Sequence, residues 1–229
     1  MSASLLIKIM KEEYVASFVN EGGLYANTIG FFRSYEDESV AVRGDENEGL
    51  SASFQAKNIK LEFAGITAEG LIDTVDLRYD YEDEINIYCI TAISVDDILN
   101  AGSDGMFLSK KLKEFGGKAI VIQSEDITEF MRRLKNAIKT DNNICCRLGN
   151  KFVTKNIEYV SRSSYHGAMG FFKKFDEYSW QHEWRIVFNQ KTTKGPYKLV
   201  LGPLHDLVTI VDVDSLIDNP ISLVEIDPL

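Results

Sequence analysis

The sequence predicts an α+β fold, with a mixed, mainly antiparallel sheet core and a few packed helices. Three observations lead to this prediction. Several short runs are rich in β-branched and aromatic residues, most clearly residues 85–93, and are expected to form strands. Residues 124–138 instead repeat apolar side chains with helical spacing. The strand-like runs do not alternate regularly with helices, which argues against a doubly wound parallel sheet.

The N-terminal third is predicted to begin with a strand, a helix and a second strand. Residues 5–10 form a short apolar run, and residues 11–20 carry an apolar stripe with helical spacing. Gly22 and Gly23 are expected to end this helix before a strand at residues 24–27. Two segments then follow, an aromatic-rich turn or helix at residues 28–37 and a loop too polar to pack at residues 43–49.

The rest of the chain is predicted to be rich in strands. Ser124 is expected to start the helix of residues 124–138, which buries Phe130 and Leu134. A further helix is expected at residues 170–178, with its three phenylalanines buried. The predicted strands are residues 51–56, 59–63, 85–93, 118–123, 157–161, 184–189, 197–201 and 207–211.

Composition and charge limit the class of protein. The 229 residues are 45% apolar, which suits one buried core, and no linker or repeat divides residues 1–229 into domains. The net charge of −10 argues against non-specific coating of nucleic acid, because phosphate attraction needs a positive surface. No run reaches the roughly 18 to 20 apolar residues of a membrane span, and residues 1–10 show no cleavage-like site. We therefore expect a cytoplasmic protein outside the membrane.

The cysteines and histidines do not suggest a metal site. Cys145 and Cys146 are adjacent and poorly placed to bridge each other, so reduced thiols are expected. Cys89 stands apart from them, and three histidines occupy separate segments without ligand spacing. The sequence therefore predicts no zinc site.

Residues 178–188 carry the most informative polar side chains. Strand alternation predicts two faces, one with Trp184, Ile186 and Phe188 and the other with Glu183, Arg185 and Val187. Two interpretations of Glu183 stay open. In one, it pairs with Arg185 on a solvated strand, for at most about 1 kcal/mol. In the other, it lies in a cleft, where a carboxylate stabilises positive charge that develops at an anomeric carbon.

The tripeptide Gln181-His182-Glu183 at the start of a late strand resembles the Gln-x-Glu motif of the ADP-ribosyltransferase-like superfamily. The predicted strand–helix–strand unit at the N-terminus is similar to the one found in that family. A closer likeness is to bacterial and phage proteins of poorly characterised function. The shared motifs are Gly23-Leu24-Tyr25, Phe32-Arg33, Asp45, Glu48-Gly49 and Glu183-Trp184-Arg185. The resemblance implies an ADP-ribosyltransferase-like fold.

The resemblance also implies an NAD-dependent ADP-ribosyltransferase, a glycosyltransferase for which NAD is a substrate. Glu183 would be the catalytic acid, and Gln181 would orient the acceptor. At the family's first signature, the opening strand offers only Lys8 in place of an arginine or histidine. The cofactor-binding residues implied are Arg33 or Arg43 for the dinucleotide, Tyr165 for packing on nicotinamide, and Ser161 or Ser163 for supporting the pocket.

The biological role implied is that of a toxin or antiviral-defence effector that modifies a nucleic acid or a protein. An inhibitory partner protein is compatible with that role. A predicted basic rim favours a nucleic acid, and its members are Lys151, Lys155, Arg162, Lys173 and Lys174. Two alternatives stay open. One is a non-catalytic protein-binding module of the same fold in phage–host conflict, and the other is a metal-dependent nuclease that uses Asp45, Glu48 and Glu183.

A second cluster of polar residues lies in the loop of residues 43–49. Two glycines allow this loop to fold over a ligand, and Arg43 is suited to bidentate contact with a diphosphate. Asp45 and Glu48 are also able to hold a divalent cation. The remaining interpretation is an ordinary charged surface loop that includes Glu46.

Overall fold

The computed structural model of the protein describes residues 3–34, 44–68, 70–145, 149–191 and 194–224. The strands of these ranges are β1 (Ala3–Met10), β2 (Gly23–Thr28), β3 (Ala52–Gln55), β4 (Leu61–Phe63), β5 (Ile66–Ala68), β6 (Thr74–Leu77), β7 (Asn86–Ser94), β8 (Lys118–Gln123), β9 (Ile144–Cys145), β10 (Phe152–Asn156), β11 (Glu158–Val160), β12 (Gly167–Ala168), β13 (Lys173–Phe175), β14 (Glu183–Gln190), β15 (Tyr197–Val200) and β16 (Thr209–Asp212). The α-helices are α1 (Glu12–Glu21), α2 (Ile29–Ser34), α3 (Val95–Asn100), α4 (Ser124–Thr140) and α5 (Val213–Asp218). Short 3-10 helices cover Ala56–Asn58, Asp80–Glu82, Lys110–Phe115, Gly170–Phe172 and Asp176–Gln181.

The largest sheet is antiparallel. Its strands follow one another in the order β10-β14-β7-β1-β8-β16, and each neighbouring pair runs antiparallel. β2 pairs with both β7 and β15, and β9 pairs with the end of β14. A small antiparallel sheet contains β12, β3 and β6, whereas β11 and β13 pair in parallel. The prediction of an α+β fold with mainly antiparallel sheets and few helices is therefore confirmed.

The predicted strand–helix–strand unit at the N-terminus is also confirmed. It consists of β1, α1 and β2. Gly22 ends α1 with a left-handed φ of 66°, and its N–H donates to the carbonyl oxygen of Phe18 at 3.0 Å. A residue without a Cβ adopts this φ at little cost, so the sequence signal for the end of the helix has a direct conformational cause.

Helices α1 and α4 cover one face of the largest sheet. α4 begins at Ser124, as expected, and buries Phe130 and Leu134 completely. Trp184 and Ile186 of β14 belong to the same core, which confirms the predicted alternation along this strand. The opposite face of β14 therefore carries the charged residues. No helix in the described ranges is both long and apolar enough to cross a membrane.

The predicted helix at residues 170–178 is wrong. The segment forms a 3-10 helix at Gly170–Phe172, the strand β13 and the start of a second 3-10 helix. β13 pairs in register with β11, and Phe175 is buried while Phe171 and Phe172 are only partly buried. Strand pairing with a partner distant in sequence therefore overrides the local spacing of the phenylalanines.

The largest sheet is split along one edge of β7. β1 pairs with residues 91–94 of β7, whereas β2 pairs with residues 86 and 87. Between them, residues 88–90 have no partner on this edge among the described strands. Lys8 reaches across the gap from β1, and its Nζ donates to the carbonyl oxygen of Cys89 at 2.6 Å. The split leaves space for a ligand in the middle of the sheet.

Candidate functional site

A crevice of about 690 Å³ opens at the split in the sheet. This volume lies within the range of about 300 to 1,000 Å³ that is typical of small-molecule sites. β7 lies between its two walls, one from β1, α1 and β2 and the other from β14 and the segments packed on it. The lining includes Lys8, Lys11, Tyr14, Tyr25, Phe31, Phe32, Cys89, Phe115, Gln181, Glu183 and Lys198.

One wall contains a buried charge cluster, which consists of Asp45, Glu48, Lys174, Glu183 and Arg185. Each of these residues is at most 8% exposed, and Arg185 is fully buried. The guanidinium of Arg185 donates through Nε to Glu183 and through Nη1 and Nη2 to the two carboxylate oxygens of Glu48, at 2.7 and 2.5 Å. The two charge-assisted bonds to Glu48 fix that carboxylate in direction as well as in distance, whereas Arg185 holds Glu183 through one bond.

Lys174 is the second cation of the charge cluster. Its Nζ lies 2.9 Å from Oε2 of Glu183 and 3.6 Å from Oε2 of Glu48. The nearest oxygen of Asp45 is 3.9 Å away. Lys174 also donates to Oε1 of Gln181 at 3.0 Å, so it connects the two polar residues of the Gln-x-Glu motif.

Local backbone geometry brings Gln181 and Glu183 to the same wall. His182 lies between them with a left-handed φ of 43°, and β14 begins at the next residue. The carbonyl oxygen of Gln181 accepts a bond from Oγ1 of Thr91 at 2.9 Å, while the backbone N–H of Glu183 donates to the Tyr159 hydroxyl at 2.9 Å. The turn at His182, rather than continuous extended backbone, therefore brings Gln181 to the same wall as Glu183.

The loop of residues 44–49 brings the remaining acids to the charge cluster. The N–H of Asp45 donates to the carbonyl of Phe32 at 3.1 Å, and the N–H of Glu48 donates to the carbonyl of Asp45 at 2.8 Å. Gly49 has a φ of 74° and packs against Ile29, which leaves no room for a Cβ. The expectation that this loop is too polar to pack is wrong for Asp45 and Glu48, because buried cations pair with them.

Burial and pairing with cations shift the pKa values of Asp45 and Glu183 in opposite directions. Burial raises the pKa of Glu183, but the charges of Arg185 and Lys174 outweigh burial and hold this pKa below its usual range. Burial raises the pKa of Asp45 to about 6, only partly opposed by Lys174. With every acid ionised, the three carboxylates exceed the two cations by one negative charge. The cluster becomes neutral when Asp45 is protonated.

The predicted site residues fall into three groups. Glu183 and Gln181 both line the crevice. Arg33 lies away from its lining and forms a two-bond ion pair with Asp83. Arg43 lies outside the described residues. The third group contains Tyr165, Ser161 and Ser163, and none of these residues lines the crevice. Tyr165 donates to the carbonyl oxygen of Ala168, and the hydroxyl oxygens of Ser161 and Ser163 are 3.1 Å apart.

Sequence reasoning missed Lys174 and Lys8 as members of the site. The nuclease alternative grouped Glu48 with Glu183, but the bond between Glu48 and Arg185 was not expected. Lys174 was expected on a basic rim, yet only 8% of its side chain is exposed. Arg185 and Glu48 are 137 residues apart, so no local pattern could reveal their contact. The solvated ion pair expected for Glu183 and Arg185 is half right, because the two residues pair but are buried.

The described residues contain no group of three or more histidine, cysteine, aspartate or glutamate side chains placed to hold a metal ion. Asp45, Glu48 and Glu183 do converge, as the nuclease alternative requires. However, Arg185 bonds to both glutamates and so occupies the oxygens that a cation would need.

Comparison with known proteins gives no assignment. No family model, no curated protein and no solved structure matches the chain. The function is therefore inferred from the crevice and from the charged residues that line it.

Proposed function

We propose that the protein is an NAD-dependent ADP-ribosyltransferase that binds NAD in the crevice. The observation that carries this proposal is the charge distribution of the crevice. The charge cluster, with its excess negative charge, contributes to one wall. Lys8, Lys11 and Lys198 lie on the other wall, although Lys198 also pairs with Glu21 at 2.5 Å.

NAD has a matching distribution of charge. Its nicotinamide ring is cationic and its diphosphate is anionic, so the ring is expected beside Glu183 and the diphosphate beside Lys8 and Lys11. Tyr14 and Tyr25, which line the same crevice, offer aromatic faces for the flat rings. In this proposal Lys8, on the opening strand, takes the dinucleotide-binding role that the resemblance assigned to Arg33 or Arg43.

The chemistry follows from the ionised state of Glu183. When the bond between ribose C1′ and the nicotinamide nitrogen breaks, its electron pair leaves with nicotinamide and positive charge develops at C1′. A carboxylate already oriented by Arg185 and Lys174 stabilises that charge without reorganising. The acceptor, oriented by Gln181, then bonds to C1′ and releases its proton to solvent water. Modification of a nucleic acid or protein by a toxin or antiviral-defence effector is the biological role that we propose.

The decisive experiment is the release of nicotinamide from labelled NAD. Wild-type protein is expected to release it, and Glu183→Gln should lower the rate by about 100-fold or more, because removing one preorganised electrostatic group costs that much. Glu177→Gln serves as a matched control, since Glu177 is exposed and contacts Arg162 at the surface. Thermal unfolding checks that each variant folds. Equal release by wild type and Glu183→Gln would remove Glu183 from the mechanism.

A second candidate function is protein binding without catalysis. The hairpin of β4 and β5 exposes Leu61, Phe63 and Ile66 by 53%, 57% and 58%, and such apolar patches often mark interfaces. Two results together would favour this candidate. Calorimetry would detect no NAD binding, and a partner would co-purify in stoichiometric amount with the wild type but not after these three residues are changed to serine.

A further inference from the structure

Residues 56–68 and 70–73 form an arm that projects from the small antiparallel sheet. β3 and β6 pair with each other as far as Gln55 and Thr74, and at the base of the arm the N–H of Ala56 donates to the carbonyl oxygen of Asp73 at 3.2 Å. The hairpin of β4 and β5 lies in the arm, and every residue of 60–67 is exposed. None of the described residues of the arm lines the crevice, so the arm is a separate surface.

The hairpin of β4 and β5 has one apolar face and one polar face. Its cross-strand pairs are Leu61 with Ala68, Glu62 with Thr67, and Phe63 with Ile66. Because successive residues of a strand point to opposite faces, the Glu62 pair lies on one face and the other two pairs lie on the opposite face. Leu61, Phe63 and Ile66 are each more than half exposed, so the apolar face is open to solvent.

This hairpin has little to stabilise it within the described part of the chain. Neither β4 nor β5 pairs with a third strand there, so their outer edges keep backbone donors and acceptors that can pair with another strand. Two strands alone bury too little apolar surface to be stable in water. Ala64 in the turn has a left-handed φ of 48°, which a residue with a Cβ adopts at a cost. These observations together point to a partner that covers the hairpin.

The charge of the chain around the hairpin selects the class of partner. Residues 61–84 contain eight acidic residues and one basic residue, Arg78, although Lys57 and Lys60 precede them. Two of the acids pair with cations from other segments, which still leaves an excess of negative charge. A second copy of this chain, a nucleic acid and an anionic membrane would each bring further negative charge to this segment. A protein with basic side chains is instead attracted to it.

We infer that the arm binds an extended segment of a basic partner protein, in which lysine or arginine alternates with apolar residues. Such a segment adds a strand beside β4. Its apolar side chains pack near Leu61 and Phe63, and its basic side chains lie beside Glu62 on the opposite face. This binding goes beyond the proposed NAD chemistry and does not require it, because the arm lies outside the lining of the crevice.

The test measures the binding of three fluorescently labelled peptides to the full-length protein by fluorescence anisotropy. One peptide alternates lysine with valine, the second has the same composition with its lysines and valines in separate blocks, and the third alternates glutamate with valine. The alternating lysine peptide is expected to bind at least about tenfold more tightly than either of the others. The block peptide controls for attraction between net charges alone.

Two double variants locate the binding on the apolar face. Leu61→Ser combined with Phe63→Ser should weaken binding of the alternating lysine peptide by about tenfold or more, because two apolar contacts are lost. Leu99→Ser combined with Phe107→Ser is the matched control, since it removes two exposed apolar side chains outside the arm and should leave the affinity unchanged. Thermal unfolding checks that each variant folds.

A single substitution tests the polar face. Glu62→Gln should weaken binding of the alternating lysine peptide by about two- to fivefold, because it removes the charge that faces the lysines of an added strand. Glu125→Gln changes the net charge equally at another exposed position and should not weaken binding.

Several results would contradict a basic strand on the arm. Equal binding of the block peptide would exclude the alternating segment, and equal binding of the glutamate peptide would exclude the role of charge. Unchanged affinity after Leu61→Ser with Phe63→Ser would place the peptide elsewhere. Sedimentation velocity that shows a dimer only when these two side chains are present would assign the hairpin to a second copy of the chain. Nicotinamide release is measured separately, so its absence refutes only the proposed function, and absence of peptide binding refutes only the role of the arm.

Discussion

Asp45 differs from Glu183 in how closely a cation approaches it. Nζ of Lys174 is 3.9 Å from Asp45 but 2.9 Å from Glu183, which also bonds to Arg185. Burial therefore raises the pKa of Asp45 to about 6, whereas the two cations overcome burial at Glu183 and lower its pKa. At the scale of single residues, small differences in pairing distance decide which buried acid changes charge near neutral pH.

The raised pKa of Asp45 predicts that stability falls as the pH rises. The folded protein holds the Asp45 proton up to about pH 6, whereas an unfolded aspartate loses it near about pH 4. The contribution of Asp45 to stability is thus complete below the pKa of the aspartate in the unfolded chain, and it is lost as the pH rises through 6. We expect this contribution to the free energy of unfolding in urea to fall by about 1 kcal/mol between pH 5 and pH 8. Burial lowers the pKa of His182, which acts in the opposite direction, so the contribution is measured as the difference between wild type and a variant at Asp45.

Asp45→Asn should remove most of this dependence, because an amide cannot ionise and can still accept from the N–H of Asn47, as Asp45 does at 2.8 Å. Asp104→Asn, at an exposed position, is the matched control and should keep the wild-type slope. The same slope in Asp45→Asn as in wild type would show that another group is responsible.

Arg185 connects several elements through one side chain. From β14 it bonds to Glu48 of the loop at residues 44–49 and to the carbonyl oxygen of Phe171 at 2.9 Å. Lys174 makes a parallel connection from β13 to the same acids. At the scale of elements, the charge cluster therefore holds two irregular segments against the face of the sheet that α1 and α4 leave uncovered.

Arg185→Met is expected to destabilise the fold by about 3 to 5 kcal/mol, because it leaves three buried carboxylates facing Lys174 alone. Urea denaturation measures this loss. Arg132→Met is the control, since the Arg132 side chain is 67% exposed and solvent screens its pair with Glu129, so this variant should keep nearly all of the wild-type stability. Adding Glu48→Gln to Arg185→Met should restore part of the stability. A loss of under about 1 kcal/mol in Arg185→Met would mean that the segments are held by other contacts.

The whole molecule has a net charge of −10. The charge cluster contributes at most one of these negative charges, so most of the net negative charge comes from other residues. The lysines of the crevice therefore attract an anionic ligand to a protein that is negative as a whole. Charges in solution are screened beyond roughly 10 Å at moderate ionic strength, so these lysines affect mainly a ligand inside the crevice. Recognition of an anionic ligand is therefore expected to be local rather than driven by long-range attraction.

The sequence by itself determined the elements whose signals are local. The strand, helix and strand around Gly22, the amphipathic helix α4, and the two faces of β14 all follow from spacing along the chain. Both residues of the motif, Gln181 and Glu183, line the crevice.

Only the tertiary structure decided what surrounds that motif. It turned the expected helix at residues 170–178 into β13, buried Lys174 among carboxylates, and brought Glu48 to Arg185 across 137 residues. It also left Arg33 at Asp83 and put Lys8 beside the split in the sheet. A buried charge is stable only beside its opposite, and that pairing depends on how distant segments pack rather than on any local pattern.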